Sequence, residues 1–316
     1  MAGMTRKHLF GLIGIGDVVV PTIEKAYNDK LTKEWEGGLG DDPHGYKWHT
    51  RLHASSAPGS NASCKRKSLY GLLDLPKEAP EGMRLIRYAE VGLDAEARLV
   101  DIWDKYGILL SAHTDDEHQT NLKEPELWFS GNMDAAILPE NKKSPHIVEI
   151  KSRALEKVQA MKTGKEPVDH KHENQLRSYV AMANEQKLFM DDPRVESPCT
   201  SGSVLYVARD NPNVFHEFVF QHDPEWWEKT VERIKEIQAA FLDEYNSLDI
   251  PRNEDGSKVG WSKGECQYCP LKKECKADFT EEVFDLRDSY LVKKAYEDNP
   301  NYDYDKARER VLNAWT

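Results

Sequence analysis

No apolar run in this chain of 316 residues approaches the roughly 20 needed to cross a bilayer, so no membrane-spanning helix is expected. The opening stretch "MAGMTRKHLFGLIGIGDVVV" is basic, then apolar, but lacks a clear small-residue cleavage site; it reads as mature structure rather than a signal peptide. Positive charge is in short supply: 43 Lys and Arg stand against 55 Asp and Glu, a net charge of -12. That balance argues against a protein that coats nucleic acid by bulk attraction. It leaves room for a local basic groove beside acidic residues that hold divalent cations. Cysteine is scarce and odd in number, five in all, which is a poor disulfide framework. "GLIGIGD" lacks the third glycine of a dinucleotide fingerprint, and no Lys-Ser/Thr pair follows it, so it is not a phosphate loop. Neither an internal repeat nor a helicase motor motif is present.

Residues 17–36 look helical, with Pro21 near the start, where its missing N–H matters little. The segment "DDPHGYKWHTRLHASSAPGSNAS" is rich in turn formers and reads as a loop ending at Cys64, where a short helix "CKRKSLYGLLDL" opens. Residues 88–106 read as a longer helix with Leu99, Ile102, Trp103 and Tyr106 as its apolar stripe. After a polar stretch come three short strand candidates, "LWFSG", "MDAAILP" and "HIVEIKS". Gly131-Asn132 between the first two and "ENKKSP" between the second two look like hairpin turns. A loop rich in Lys and His, including His170 and His172, leads into a helix "ENQLRSYVAMANEQ". That histidine pair reads as a solvated loop in preference to a metal site. Strands "SVLYVARD" and "VFHEFVFQ" follow, then a long amphipathic helix over roughly 223–247 carrying Trp226 and Trp227 as core residues, and an acidic helical tail from about 280. This order predicts an α/β fold with a mixed sheet and excludes a doubly wound one.

The run "HIVEIKSR", His146 to Arg153, is the informative one. Ile147, Val148 and Ile150 favour a pleated strand, yet Glu149 and Lys151, two apart, point to one face of it. Buried charges cost several kcal/mol unless paired or put to use. An ordinary ion pair on a solvated face is one explanation. The other begins with Asp134 on the preceding strand, which can share that face across a hairpin spacing of about 4.8 Å. Two carboxylates about 4 Å apart repel by roughly 4 kcal/mol at an effective dielectric of about 20. A divalent cation reverses the sign, and hard oxygen ligands suit Mg²⁺ or Mn²⁺.

Asp134 with Glu149-Ile150-Lys151 resembles the PD-(D/E)xK nuclease core, although "GNMD" lacks the proline before the aspartate. Gln175 and Tyr179, one helical turn apart, form a Q-x-x-x-Y pattern similar to the RecB-like branch, including Cas4-type exonucleases. The resemblance implies a restriction-endonuclease-like fold, a mixed central sheet flanked by helices. It further implies that Asp134 and Glu149 bind one or two Mg²⁺ or Mn²⁺, the Ile150 carbonyl joining them, while Lys151 works on the attacking water. Gln175 and Tyr179 would position the lysine and the DNA backbone. One more metal ligand belongs on the earlier helix. The role falls to Glu96 in "GLDAE", where the family often has histidine, with Glu90 and Asp94 as competitors. Arg209, in "YVARDN", sits where related nucleases often place a basic DNA contact. Arg153, with Lys151, Lys157, Lys162, Lys165 and Lys171, forms a basic stretch that could track a phosphate backbone, or be merely solvated.

The cysteines carry a second likeness. "CQYCPLKKEC" spaces Cys266, Cys269 and Cys275 as C-x2-C-x5-C, similar to the C-terminal triplet of iron–sulfur nucleases of the Cas4 type. There a fourth cysteine lies far upstream, and Cys64 fits that place. The resemblance implies a [4Fe–4S] cluster on Cys64, Cys266, Cys269 and Cys275 that joins the N- and C-terminal segments. Structural zinc is the rival, and Cys199, otherwise a small packed residue, is the alternative fourth ligand. The expected organisation is an N-terminal helical region over 1–87, a nuclease core over 88–222, a long helix and cysteine region over 223–280 and a tail over 281–316. The expected function is a metal-dependent exonuclease on single-stranded DNA ends in recombination, repair or phage DNA processing. Its setting would be the bacterial or phage-infected host cytosol, with a helicase or recombination protein as partner. The competing expectation is a non-catalytic zinc-containing DNA-binding or assembly module.

Overall fold

The structure is a computed structural model and describes residues 52–54, 64–72, 83–112, 121–242 and 290–313. The expected helix over 17–36 and the cysteine triplet of 266–275 lie outside these residues. The chain divides into two units, residues 1–47 with 79–90, and residues 48–78 with 91–316. Of the first unit only 83–90 are described, the opening turns of a helix. The rest concerns the second.

Among the described residues the order is β1 (Leu52–His53), α1 (Lys65–Leu72), α2 (Met83–Lys105), β2 (Leu109–Ala112), β3 (Asn121–Glu124), β4 (Phe129–Asn132), β5 (Ala135–Ile137), β6 (His146–Arg153), α3 (Leu155–Lys162), α4 (His170–Glu185), β7 (Ser201–Ala208), β8 (Phe215–Gln221), α5 (Pro224–Leu242), α6 (Tyr290–Asp298) and α7 (Tyr304–Asn313). Two sheets form, β1-β4-β3 and β2-β5-β6-β7-β8. In the larger one β6 and β7 run parallel, and every other neighbouring pair is antiparallel. A parallel pair needs a long crossover, and α3 and α4 supply it. The result is a mixed α/β fold with helices flanking the sheets, as the sequence predicts. No helix among the described residues is long and apolar enough to cross a membrane.

Strand β6 is central, and it is apolar in both directions because both its faces are covered. Ile147 belongs to the larger core with Leu176 and Val180 of α4 and Ile234 and Phe241 of α5. Val148 and Ile150 point the other way, into a smaller core with Ala95, Leu99, Val100 and Trp103 of α2. The apolar stripe of α2 is therefore Ala95-Leu99-Trp103 with Val100. Ile102 and Tyr106, expected in that stripe, are exposed. Helix α4 comes down on β7 at Gly202, where a Cβ would stand 2.8 Å from both Leu176 Cδ1 and Val180 Cγ2 and 2.9 Å from the Ile147 carbonyl oxygen. A side chain there would lift the helix off the sheet.

Three sequence expectations need correction. Gly131-Asn132 is not a hairpin turn. Both residues lie inside β4, which pairs with β1 and β3, while β5 pairs with β2 and β6. The chain passes from one sheet to the other at Met133 and Asp134. Glycine serves β4 at Gly131 because the ring of Tyr179 packs against its Cα, and a Cβ would collide with it. Leu127 and Trp128 are not in the strand either. Leu127 ends a short 3₁₀ turn and Trp128 has φ +50°, so β4 opens at Phe129. The segment after β6, read as a loop, contains α3. Trp227 is buried, as expected of a core residue; Trp226 is half-buried, with the Arg177 guanidinium 5.8 Å from its ring centre.

Candidate active site

The antiparallel register pairs Ala135 with Val148, so Asp134, one residue before β5, stands level with Glu149. A hydrogen bond secures it: the Ile150 N–H donates to Asp134 Oδ2 at 2.7 Å. Glu149 is fully buried, on the same face as Ile147 and Lys151. The Lys151 ammonium is in contact with Glu149 Oε1 and lies 3.9 Å from Asp134 Oδ2. The other Glu149 oxygen, Oε2, is buried with no hydrogen-bond partner. Helix α2 brings Glu96 to the same group. Gly92, one turn earlier, would place a Cβ only 3.6 Å from Ser152 Oγ at the end of β6, so this face of α2 meets the strand closely. Asp94, a competitor for the role, is exposed.

Three carboxylates around one ammonium carry excess negative charge, and the titration of the two glutamates and the lysine reflects it. Burial, then the charge of Asp134, pushes the Glu149 carboxyl up to about 8 despite the ammonium beside it. Burial and then Asp134 push Glu96 up to about 8 as well. Burial would lower Lys151, but Glu149 and Asp134 outweigh it and hold the lysine above its ordinary value. In the metal-free site the carboxylates beside it thus favour the charged ammonium.

An orphaned carboxylate oxygen inside a surplus of carboxylates fits a hard divalent cation. Asp134, Glu149 and Glu96 are the side chains that would hold it, with the Ile150 carbonyl adjoining. As they stand, no three His, Cys, Asp or Glu side chains among the described residues form a ready cage. The ammonium of Lys151 occupies the space between Asp134 and Glu149.

Gln175 Nε2 donates to Tyr179 Oη at 2.9 Å, and both residues are buried. Arg153 ends β6 with its guanidinium 3.1 Å from Asp169 Oδ2. The Arg209 N–H donates to the Arg153 carbonyl at 2.8 Å, so the two arginines meet at the C-terminal ends of β6 and β7. Lys157 is paired with Glu166 at 2.8 Å, which removes it from a free basic stretch. Cys64 sits half-buried just ahead of α1, its Sγ accepting from the Lys67 N–H at 3.5 Å. Cys199 is fully buried, its Sγ donates to the Ser201 carbonyl at 3.4 Å, and burial pushes its thiol up to about 11, in keeping with a packed residue.

His172 is the residue the sequence reading placed wrongly. Helix α4 starts at His170, capped by Asp169, whose Oδ1 accepts from the Lys171 N–H at 3.0 Å. His172 is thus helical and half-buried, and its Nδ1 lies 2.8 Å from Tyr206 Oη. The available signal was its spacing: 172, 175 and 179 fall on one helical face once the helix begins before Glu173.

Residues 60–276 match the model of the PD-(D/E)XK nuclease superfamily, well over half of the chain, and the chain belongs to that superfamily. No curated protein matches. Among solved structures the chain is similar to an alkaline exonuclease, LHK-Exo, from Laribacter hongkongensis, at 12% identity and a TM-score of 0.44, covering 64% of this chain and 93% of that one. The same enzyme in complex with dAMP gives 12% and 0.43, covering 63% and 93%. A phage-related exonuclease from Haemophilus somnus 129PT gives 16% and 0.37, covering 61% and 93%. At these values the superpositions are partial, and family membership rests on the sequence match.

Proposed function

We propose that the protein is a Mg²⁺- or Mn²⁺-dependent DNA exonuclease acting on single-stranded ends, in recombination, repair or phage DNA processing. The observation that carries this reading is the meeting of Asp134, Glu149 and Lys151 beside Glu96, with a buried carboxylate oxygen left unpartnered. A cation bound there would polarise the scissile phosphate and ease deprotonation of water. The chain's own part is electrostatic. Asp134, fixed by the Ile150 amide, holds its carboxylate toward the centre. Lys151, its ammonium held between Asp134 and Glu149, orients the attacking water and stabilises the charge that builds on the phosphoryl oxygens. Arg153 and Arg209 would contact the backbone beyond it, and Gln175 with Tyr179 would position the lysine.

Labelled linear and closed circular single strands with Mn²⁺ test the reading. Wild type should shorten linear DNA from an end and spare the circle. Asp134→Asn should lose roughly a hundredfold or more. Failure of the wild type to cut, or an undiminished Asp134→Asn, would sink the assignment, and 5′- or 3′-blocked strands report polarity.

For the cysteines we retain the [4Fe–4S] reading on Cys64, Cys266, Cys269 and Cys275, supported by the C-x2-C-x5-C spacing and by Cys199's burial in the core. Protein purified without oxygen should be brown and carry about four iron atoms per chain. Stoichiometric zinc in colourless protein would replace the cluster by a structural zinc site.

A further inference from the structure

Next to Lys151 stands a polar chain that the mechanism above does not use. Tyr206 is the register partner of Lys151 on the neighbouring parallel strand, so the two side chains share a face of the sheet. The tyrosine is fully buried, and its hydroxyl has two partners on α4 and its cap. The Asp169 N–H donates to Tyr206 Oη at 3.1 Å, and His172 Nδ1 lies 2.8 Å from the same oxygen.

These contacts determine the tautomer. The amide can only donate, so Oη accepts from it. The hydroxyl proton must then go to His172 Nδ1; were Nδ1–H to donate as well, that proton would be buried without an acceptor. His172 is therefore a neutral imidazole with its proton on Nε2. Burial, then the adjoining charge of Lys151, with Arg153 and Lys171 acting the same way, pushes the ring down to about 3, against the opposing pull of Asp169. Nε2–H has no hydrogen-bond partner among the described residues. It is a lone donor in a field set by Lys151 and Arg153 of β6 and Lys171 of its own helix. An anionic oxygen fits.

We propose that His172 is a substrate-binding residue, a neutral imidazole whose Nε2–H donates to a non-bridging phosphate oxygen of the DNA strand that crosses Lys151 and Arg153. The inference rests on the nuclease reading for the identity of the strand. Tyr206 is a positioning residue, because it acts through the ring by locking its tautomer. Asp169 holds both ends of the arrangement, through its amide to Tyr206 and its carboxylate to Arg153.

The test is binding of a fluorescent single-stranded oligonucleotide with Ca²⁺ in place of Mg²⁺ or Mn²⁺, which needs no cleavage. His172→Ala should weaken binding about tenfold, the scale of one hydrogen bond to a charged group. His172→Gln, which can still present an N–H, should recover most of it, and Tyr206→Phe should lose several-fold by freeing the tautomer. A scan of oligonucleotides with one phosphate at a time replaced by methylphosphonate reads the contact directly. At one position the penalty of His172→Ala should vanish, because the oxygen it lost is already absent. Wild-type affinity in His172→Ala, or a penalty unchanged at every scanned phosphate, overturns the proposal. So does a variant that melts earlier but binds normally. Cleavage by wild type with Mn²⁺ is read separately, so failure of the nuclease assignment and failure of the histidine contact remain distinct results.

Discussion

Glu149→Gln should reduce cleavage roughly a thousandfold and yet make the metal-free protein more resistant to heat at pH 9. The two effects have one cause. In the metal-free fold, Asp134, Glu149 and Glu96 surround one lysine, and burial with mutual repulsion raises both glutamates to about 8. The folded chain then holds more protons than the unfolded chain between the ordinary glutamate value of 4.5 and about 8. By linkage its stability falls as pH rises through that window. The two carboxyls titrate as a set, so the loss belongs to the group and not to either residue. Glutamine removes one carboxylate from the surplus while its amide oxygen can still accept from Lys151. Melting curves at pH 6 and pH 9 check this. Wild type should lose stability between them by an amount of the order of a few kcal/mol, and the variant by less. Mn²⁺ should raise the wild-type midpoint more at pH 9 than at pH 6 and leave the variant nearly unmoved. A variant that melts below wild type at pH 9 without metal would contradict the charge balance drawn here.

Lys151→Met should also remove at least a hundredfold of activity, but its stability should move the other way. The ammonium is the sole positive group in contact with the Glu149 carboxylate among the described residues. Without it three carboxylates face one another, and breaking a buried pair of this kind costs roughly 3 kcal/mol. Protonation of the glutamates limits that cost, so the deficit should be largest near pH 9 and shrink toward pH 5. Lys151→Arg should not restore activity, since a planar fork cannot replace a compact ammonium between two carboxylates. Urea unfolding at the two pH values, with cleavage measured on the same preparations, reads both. Opposite shifts for the two variants at pH 9 are the signature of one charge cluster. Shifts of the same sign would mean that the two side chains contribute mainly by packing.

The legible parts of this molecule are those whose local pattern and tertiary role agree. β6, β7, β8, the body of α2 though not its start at Met83, and most of α4 follow from apolar periodicity over eight residues or so. Elements of two to four residues, β1, β2 and β3, give too short a pattern to register. Gly131-Asn132 misled because its composition is that of a turn, whereas the glycine answers to the ring of Tyr179, far away in sequence. Helix α3 was hidden by its lysines, which are read as loop until Val158 and Met161 are seen to face the core. His172 was taken as solvated because its partner is Tyr206, on a strand 34 residues later.

By itself the sequence determined a mixed α/β chain in which Glu149 and Lys151 must share one face of a strand, because side chains alternate along β structure whatever surrounds them. It also determined that Asp134 lies one short connection away. Only the tertiary structure decided that β4 and β5 part into two sheets and that α2 delivers Glu96. It alone decided that Lys151 stands between two carboxylates, and that His172 meets the hydroxyl of Tyr206. Those outcomes depend on contacts between residues distant in the chain, which are settled by how the two cores pack and not by any local preference.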